Sequence, residues 1–295
     1  DCWAAKERNA STGELMPDPQ RFPRGMKFLV DYMHQRGLKF GIYADFGTRT
    51  CAGYPGSEFY MQQDIQTFFK WGVDYIKLDQ CNSWPPQQME GHDVFSMYLN
   101  HTGKPIVLSC EWAYRHMQDK KFPVATLLRQ CNLWRYSIDI DDSWSSVLTI
   151  IQYHKTNPQG LWAWSGPGHW NDPDELVLGN FGLSHEQERA HMAFWCLMPA
   201  PLLMSTDLRK INNQSRALLM NSNLIALNQD RLGKGATLVR EDYLIQFWRR
   251  ELSDAKKVAV YLLNTLAQGT TRWYSVNPSE VFKDLARVAG DSDPW

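Results

Sequence analysis

No hydrophobic run in this 295-residue chain is long enough to cross a membrane. The best apolar stretch, Met192 to Met204, is short and carries Pro199 and Pro201. Charge imbalance is also missing. The 31 Lys and Arg against 32 Asp and Glu leave a formal charge of −1, without the electrostatic footprint of a nucleic-acid or membrane-surface binder. Cysteine is sparse: Cys2, Cys51, Cys81, Cys110, Cys131 and Cys196 are scattered, with no CxxC pair and no zinc-ligand spacing. The first residue is Asp1, with neither Met nor an apolar leader, the expectation for a processed or trimmed polypeptide. Trp295 follows Asp291-Ser292-Asp293-Pro294 abruptly, which extends that expectation to the other end.

What is present is an ordinary globular composition, 43% hydrophobic and 21% charged, enough for one large domain and a small one. Aromatics reach 13%, with 13 Trp. Clefts rich in Trp bind sugars, but large α/β cores also use Trp, so composition alone does not decide. Three glycosylation sequons occur, at Asn9-Ala10-Ser11, Asn100-His101-Thr102 and Asn213-Gln214-Ser215. With scattered cysteines they favour a lysosomal or secreted protein with disulfides. Cys196, inside Phe194-Trp195-Cys196-Leu197-Met198, reads as a buried free thiol.

Strand-like and helix-like segments alternate. Leu38–Asp45, Val73–Asp79, Pro105–Glu111, Leu133–Asp139, Leu161–Ser165 and Pro201–Ser205 read as strands. Between them, Phe28, Leu29, Tyr32 and Met33 lie at helical spacing, as do Met61, Ile65, Phe68 and Phe69. Gly37 and Gly72 are helix stops, and Ser143–Tyr153 reads as helical. Ser184 with Gln187 three residues on forms a capping box for a helix to Met198, and Asp207 is expected to open another. Such alternation implies parallel strands with crossover helices. Six strand–helix units fit between Leu38 and Gln229. The expected fold is a (β/α)8 barrel over residues 1–231 whose first strands precede Asp1. From about Leu232 helices stop, and Thr237–Arg240, Leu244–Trp248 and Val258–Leu263 read as antiparallel strands of a partial β-domain over 232–295.

Acids stand at the ends of these strands: Asp1, Asp45, Asp79, Glu111, Asp139, and Asp172 with Asp174. On a parallel barrel such positions converge on one face. Each has a plain alternative: Asp45 as a loop cap, Asn171-Asp172-Pro173-Asp174 as a turn, and Asp141 or Asp142 as N-cap of the helix from Ser143. Asp139-Ile140-Asp141-Asp142 could hold a metal, but no His stands at a strand end, and no metal or cofactor is expected. Sugar hydrolysis instead needs one ionised and one protonated carboxyl. Lys77, two residues before Asp79 on the same strand face, would keep Asp79 ionised, as a nucleophile requires. Asp139 has Arg135 four residues before it.

Gly41-Ile42-Tyr43-Ala44-Asp45, Lys77-Leu78-Asp79-Gln80-Cys81, Ser109-Cys110-Glu111-Trp112, Asp139-Ile140-Asp141-Asp142-Ser143-Trp144 and Gly166–Asp174 resemble motifs of the α-galactosidase and α-N-acetylgalactosaminidase (melibiase) family of retaining glycoside hydrolases. The resemblance continues through Gly179–Ser184 and Ala226–Asp230. It implies a (β/α)8 barrel followed by an antiparallel β-domain, and a homodimer acting on terminal α-galactosyl groups. By resemblance, Asp79 is the nucleophile and Asp139 the acid/base. Asp1 and Lys77 match positions that bind galactose hydroxyls, Arg135 one near the 2-position, and Tyr43, Cys51 and Asp174 further cleft positions. The implied disulfides are Cys51–Cys81 and Cys110–Cys131. Galactosidases of the family carry Glu after the second of these motifs' Cys and bulk three residues later. The acetamido-sugar enzymes carry Ser and Ala. Here the pair is Glu111 and Tyr114, which implies galactose, although Ala113-Tyr114-Arg115-His116 departs from the usual pattern. The alternatives are α-N-acetylgalactosaminidase and an inactive galactose-binding homologue.

Overall fold

Residues alternating between apolar and polar build the parallel sheet that carries the candidate site. The computed structural model describes residues 1–117, 119, 121–157, 160–266, 273–277 and 279, and the remainder of the expected β-domain lies outside them. The chain divides into two compact units, Asp1–Arg135 and Tyr136–Trp295.

The first unit runs α1 (Gly25–His34), β1 (Gly41–Asp45), α2 (Met61–Trp71), β2 (Tyr75–Asp79), α3 (Gln88–His101), β3 (Val107–Cys110), α4 (Val124–Gln130) and β4 (Leu133–Arg135). The strands pair in parallel in the order β1-β2-β3-β4, with Tyr43 opposite Lys77, Asp45 opposite Asp79, Lys77 opposite Ser109, and Ser109 opposite Leu133. Because side chains alternate with period two, Ile42, Ala44, Ile76, Leu78 and Leu108 form one buried row set. Tyr43, Asp45, Lys77 and Asp79 share the other face. Gly72 ends α2 in the left-handed conformation, φ +89°, where its N–H reaches the Phe68 and Phe69 carbonyls. Packing behind the strands is tight: a Cβ on Gly91 of α3 would lie 2.0 Å from the Phe46 ring. On α1 the buried residues are Met26 and Val30. Phe28 and Tyr32, at helical spacing in the sequence, are 39% and 41% exposed and stack under the Arg24 and Arg36 guanidinium groups at 3.3 and 3.4 Å.

The second unit holds α5 (Trp144–Thr156), β5 (Trp170–Asp172), α6 (His185–Leu197), α7 (Asn213–Leu219), α8 (Ser222–Asn228), β6 (Thr237–Asp242), β7 (Ile245–Glu251) and β8 (Val258–Asn264). The last three form an antiparallel sheet in sequence order. The capping box of α6 is present, Ser184 Oγ accepting from Gln187 N and Gln187 Oε1 from Ser184 N.

The structure differs from the sequence-based expectation at four places. Leu161–Ala163 is a 3-10 turn entered through Gly160 at φ +67°, and the strand lies later, at Trp170–Asp172. Pro201–Ser205 makes only a single parallel bridge, Leu176 with Met204. The helix expected at Asp207 begins at Asn213, capped by Asn212 Oδ1. The N-cap of α5 is Ser143, whose Oγ accepts from Ser146 N at 3.2 Å. Asp142 Oδ2 instead accepts from Phe181 and Gly182 N, and Asp141 N donates to Ser146 Oγ.

The core of the second unit packs Phe194, Trp248 and Tyr136 around His154 at ring separations of 5.5 to 5.9 Å. His191 stacks on Trp195 at 4.0 Å. Cys196 is buried, and burial pushes its thiol up to about 12, so it is inert. Among the described residues no helix is long and apolar enough to cross a membrane.

Candidate active site

The first unit gathers one polar row at the carboxyl ends of its strands. Asp45 and Asp79 end β1 and β2 in register. Glu111 and Arg135 continue the same face past β3 and at the end of β4. Glu111 Oε1 accepts from Lys77 Nζ at 2.9 Å and from Arg135 Nη1 at 3.1 Å. Glu111 and Arg135 are both buried, whereas Lys77 and Asp79 are half-buried. Two cations on one carboxylate satisfy the main condition for burying charge. Lys77, on the Asp79 face of β2, thus also reaches across to the acid that follows the neighbouring strand. The hydrogen bond on Asp79 Oδ2 comes from the Tyr43 hydroxyl at 2.8 Å, and Asp79 Oδ1 accepts from Gln80 N at 2.8 Å. Burial, reinforced by the charges of Asp79 and Asp45, raises the Tyr43 phenol far above its ordinary range, so it stays a neutral donor.

Cys51 and Cys81 form a disulfide, as do Cys110 and Cys131. Cys51 Sγ lies 3.3 Å from Asp79 Oδ2, so the first bridge walls the carboxylate. Asp45, Cys51, Asp79 and Cys81 bring potential ligand atoms within 4.8 Å of one another. The disulfide leaves neither sulfur as a thiolate, and the group offers two carboxylates only. Cys2 is exposed and free. Asp1 is half-buried, and its amino group lies within electrostatic reach of Asp79, Lys77 and Asp45. Trp3 Nε1 donates to the Tyr43 carbonyl at 2.9 Å, fixing the outer edge of β1. Tyr114 sits half-buried in the turn-rich segment after β3, its hydroxyl accepting from Arg115 Nε at 3.1 Å.

The second unit brings Asp139 and Asp174 into one local arrangement. β4 ends at Arg135, so Asp139 stands in the following loop and is exposed, not at a strand end. That loop is held by Asp174, whose Oδ2 accepts from Ile140 N at 2.9 Å. Asp174 adopts φ +81°, a conformation rare outside glycine that Asp tolerates better than most residues. Its amide donates to Asp172 Oδ1 at 2.8 Å, and its carbonyl accepts from Trp195 Nε1 at 2.8 Å. The turn composition of Asn171-Asp172-Pro173-Asp174 thus carries a strand end and a clamp. Of the sequon asparagines, Asn100 and Asn213 are exposed. Asn9 is half-buried, its Oδ1 accepting from Ser11 and Thr12 N.

Asp45 was legible as a strand-end acid but not as part of the site. It is 1% exposed, with Oδ1 accepting from Gly47 N at 2.7 Å and Oδ2 from Cys81 N at 3.0 Å. The available signal was its parity with Tyr43 in Tyr43-Ala44-Asp45.

Titration should act oppositely on the two units. Burial raises the carboxyls of Asp45 and Glu111 to about 7. Their folded pKa values exceed the unfolded ones, so this stability is full below about pH 4 and lost as pH rises towards 7. Burial lowers His154 to about 4 and His191 to about 3. Their contribution is full above about pH 6.5 and lost as pH falls towards those values. Hydrogen exchange, corrected for intrinsic rate, is expected to show β1–β3 better protected and α5–α6 less protected at pH 5 than at pH 7. Parallel changes in both units would contradict this.

Strand order and strand-end chemistry define a (β/α)8-barrel fold class with acids on its carboxyl-end face and an antiparallel sheet after it. The chain belongs to the melibiase family described as alpha galactosidase A, whose sequence profile matches residues 1–230. It is 51% identical over 264 residues to the alpha-N-acetylgalactosaminidase of Gallus gallus, covering 88% of this chain and 65% of that protein. It is 46% identical over 288 residues to alpha-galactosidase A of Homo sapiens, covering 97% of this chain and 66% of that protein. The chain thus spans somewhat less than two thirds of the length of these relatives. The structure is similar to alpha-galactosidase of Saccharomyces cerevisiae at TM-score 0.85 and 28% identity, over 96% of this chain and 68% of that one. It is also similar to alpha-galactosidase I of Mortierella vinacea at TM-score 0.80 and 33% identity, over 90% of this chain and 70% of that one.

Proposed function

We propose that this protein is a retaining α-galactosidase that removes terminal α-galactosyl groups from oligosaccharides, glycoproteins or glycolipids by double displacement. Asp79 attacks the anomeric carbon, and Asp139 protonates the leaving oxygen and then activates water. Asp1, Lys77 and Arg135 bind sugar hydroxyls, with Tyr43, Cys51 and Asp174 shaping the cleft. In this reading the catalytic barrel ends at residue 231 and the β-domain begins at 232. The two disulfides and the sequons at Asn9, Asn100 and Asn213 support a lysosomal or secreted location. Family membership supports a homodimer, which light scattering would test.

The observation that carries galactose is Glu111, buried and bound by Lys77 and Arg135 in the row that contains Asp79. A carboxylate there accepts from a 2-hydroxyl, while the bulk of Tyr114 opposes an acetamide. The second reading, α-N-acetylgalactosaminidase, is favoured by the 51% identity to the chicken protein. Overall identity averages over the whole barrel, whereas the 2-position is decided by a few side chains, so the local chemistry weighs more. The full-length polypeptide is expected to cleave nitrophenyl α-galactoside with a kcat/KM on the order of 100-fold above that for the acetamido analogue. Faster cleavage of the acetamido sugar would reverse the assignment. Galactose binding without turnover of either would identify an inactive homologue.

A further inference from the structure

Asp45 is buried at the candidate site, yet none of the catalytic or sugar-binding roles above falls to it. A loop cap needs one acceptor oxygen. Asp45 uses one for the Gly47 amide of its own loop and sends the other across to the Cys81 amide, two residues past Asp79 on the neighbouring strand. One side chain therefore staples the exits of β1 and β2. The same oxygen lies 3.4 Å from the Tyr43 hydroxyl, which is bonded to Asp79 at 2.8 Å. It lies 3.8 Å from Cys51 Sγ.

The main chain around this staple has no slack. Phe46 N donates to the Asp79 carbonyl at 2.9 Å, and Ser57 N to the Asp45 carbonyl at 2.8 Å. A Cβ on Gly47 would lie 1.8 Å from the Cys81 carbonyl oxygen, and one on Gly56 2.0 Å from the Gly47 carbonyl oxygen. The two loops touch backbone to backbone. A shift of the Cys81 amide is then passed to the Cys51–Cys81 bridge and to Asp79, because no intervening side chain can absorb it.

We propose that Asp45 is a positioning residue for the glycosidic reaction: by joining the Gly47 and Cys81 amides it holds the Tyr43 hydroxyl and the Cys51–Cys81 bridge in the arrangement that presents Asp79. The proposal rests on the reading of Asp79 as nucleophile. Asp45 itself touches no reacting atom. Its effect reaches the reaction through Tyr43 and the Cys81 backbone, so it is confined to the geometry of attack.

The substitution D45N is nearly isosteric, but whichever way the amide is turned, one of the two backbone N–H groups meets an N–H instead of an acceptor. The test compares D45N, Y43F and the double variant in the full-length polypeptide, with nitrophenyl α-galactoside as substrate. A fluorinated galactosyl inactivator that traps the covalent intermediate titrates the active sites, which removes misfolded protein from the comparison. It also identifies the labelled residue by mass spectrometry. D45N is expected to lower kcat per titrated site on the order of 10- to 100-fold with KM within about twofold, the pattern of misplaced attack. The double variant is expected to lose little more than the worse single one, since both act through the same contact. Labelling at Asp79 with unchanged kcat in D45N, or with losses that simply multiply, would overturn the proposal alone. Labelling of another residue would overturn the nucleophile reading and the proposal with it.

Discussion

The variant D79N is expected to lose at least about 1,000-fold in kcat on any α-galactoside, which corresponds to roughly 4 kcal/mol of transition-state stabilisation. The amide keeps the shape of the carboxylate and one hydrogen-bonding oxygen. The Gln80 amide and the Tyr43 hydroxyl, which now donate to Oδ1 and Oδ2, retain a neighbour of the same size. The fold should therefore survive, with an unchanged circular dichroism spectrum. What disappears is the negative charge that, in the proposed mechanism, forms the glycosyl-enzyme. A smaller replacement, D79G, leaves room for an external anion. Azide is expected to restore turnover with an activated galactoside and to give the β-galactosyl azide, because it attacks from the face the carboxylate has vacated. More than about a tenth of wild-type kcat in D79N, or no azide product from D79G, would count against Asp79 as nucleophile.

The surroundings of Asp79 make this reading economical in charge. Its row holds three carboxylates, Asp45, Asp79 and Glu111, and two cations, Lys77 and Arg135, both of which bond Glu111. Burial and the charge of Asp79 push Asp45 and Glu111 up to about 7, so under acidic conditions the row carries less negative charge. A like-charged cluster ionises in steps that belong to the group as a whole.

The first unit was largely legible in the sequence, for identifiable reasons. Ile42 and Ala44 in β1, and Ile76 and Leu78 in β2, recur at every second residue, so Tyr43 with Asp45 and Lys77 with Asp79 could be placed on one face from period two alone. Helix ends with unambiguous chemistry, Gly72 and the Ser184–Gln187 pair, were also readable. The second unit was harder where short apolar runs met turn residues. Leu161-Trp162-Ala163 has the content of a strand, but Gly160 at φ +67° starts a 3-10 turn there. Short apolar runs do not distinguish the two by pattern. Trp170-Asn171-Asp172 has the content of a turn and forms the strand. The pairing of Lys77 with Glu111 was not legible, because two cations converging on Glu111 come from different strands. The same holds for Asp45: its second oxygen is used by a residue 36 positions away.

The variant D139A is expected to separate the two chemical steps. Asp139 is exposed in the loop after β4, and Asp174 fixes that loop through the Ile140 amide, so its removal should cost little stability. A leaving group that needs protonation, such as a sugar alcohol, should depart on the order of 100- to 10,000-fold more slowly. A dinitrophenolate needs no proton and should leave nearly as fast as in wild type. In the proposed mechanism, hydrolysis of the glycosyl-enzyme also uses Asp139, now as base, so the covalent intermediate should accumulate behind an initial burst of dinitrophenolate. Azide requires no base and should release it as the α-galactosyl azide, because it displaces Asp79 from the opposite face of the ring. The same anion is thus expected to give the β-azide with D79G and the α-azide with D139A. That inversion of outcome follows only if Asp79 forms the covalent bond and Asp139 handles the proton. The same azide anomer from both variants, or equal losses on both leaving groups, would require the two roles to be reassigned.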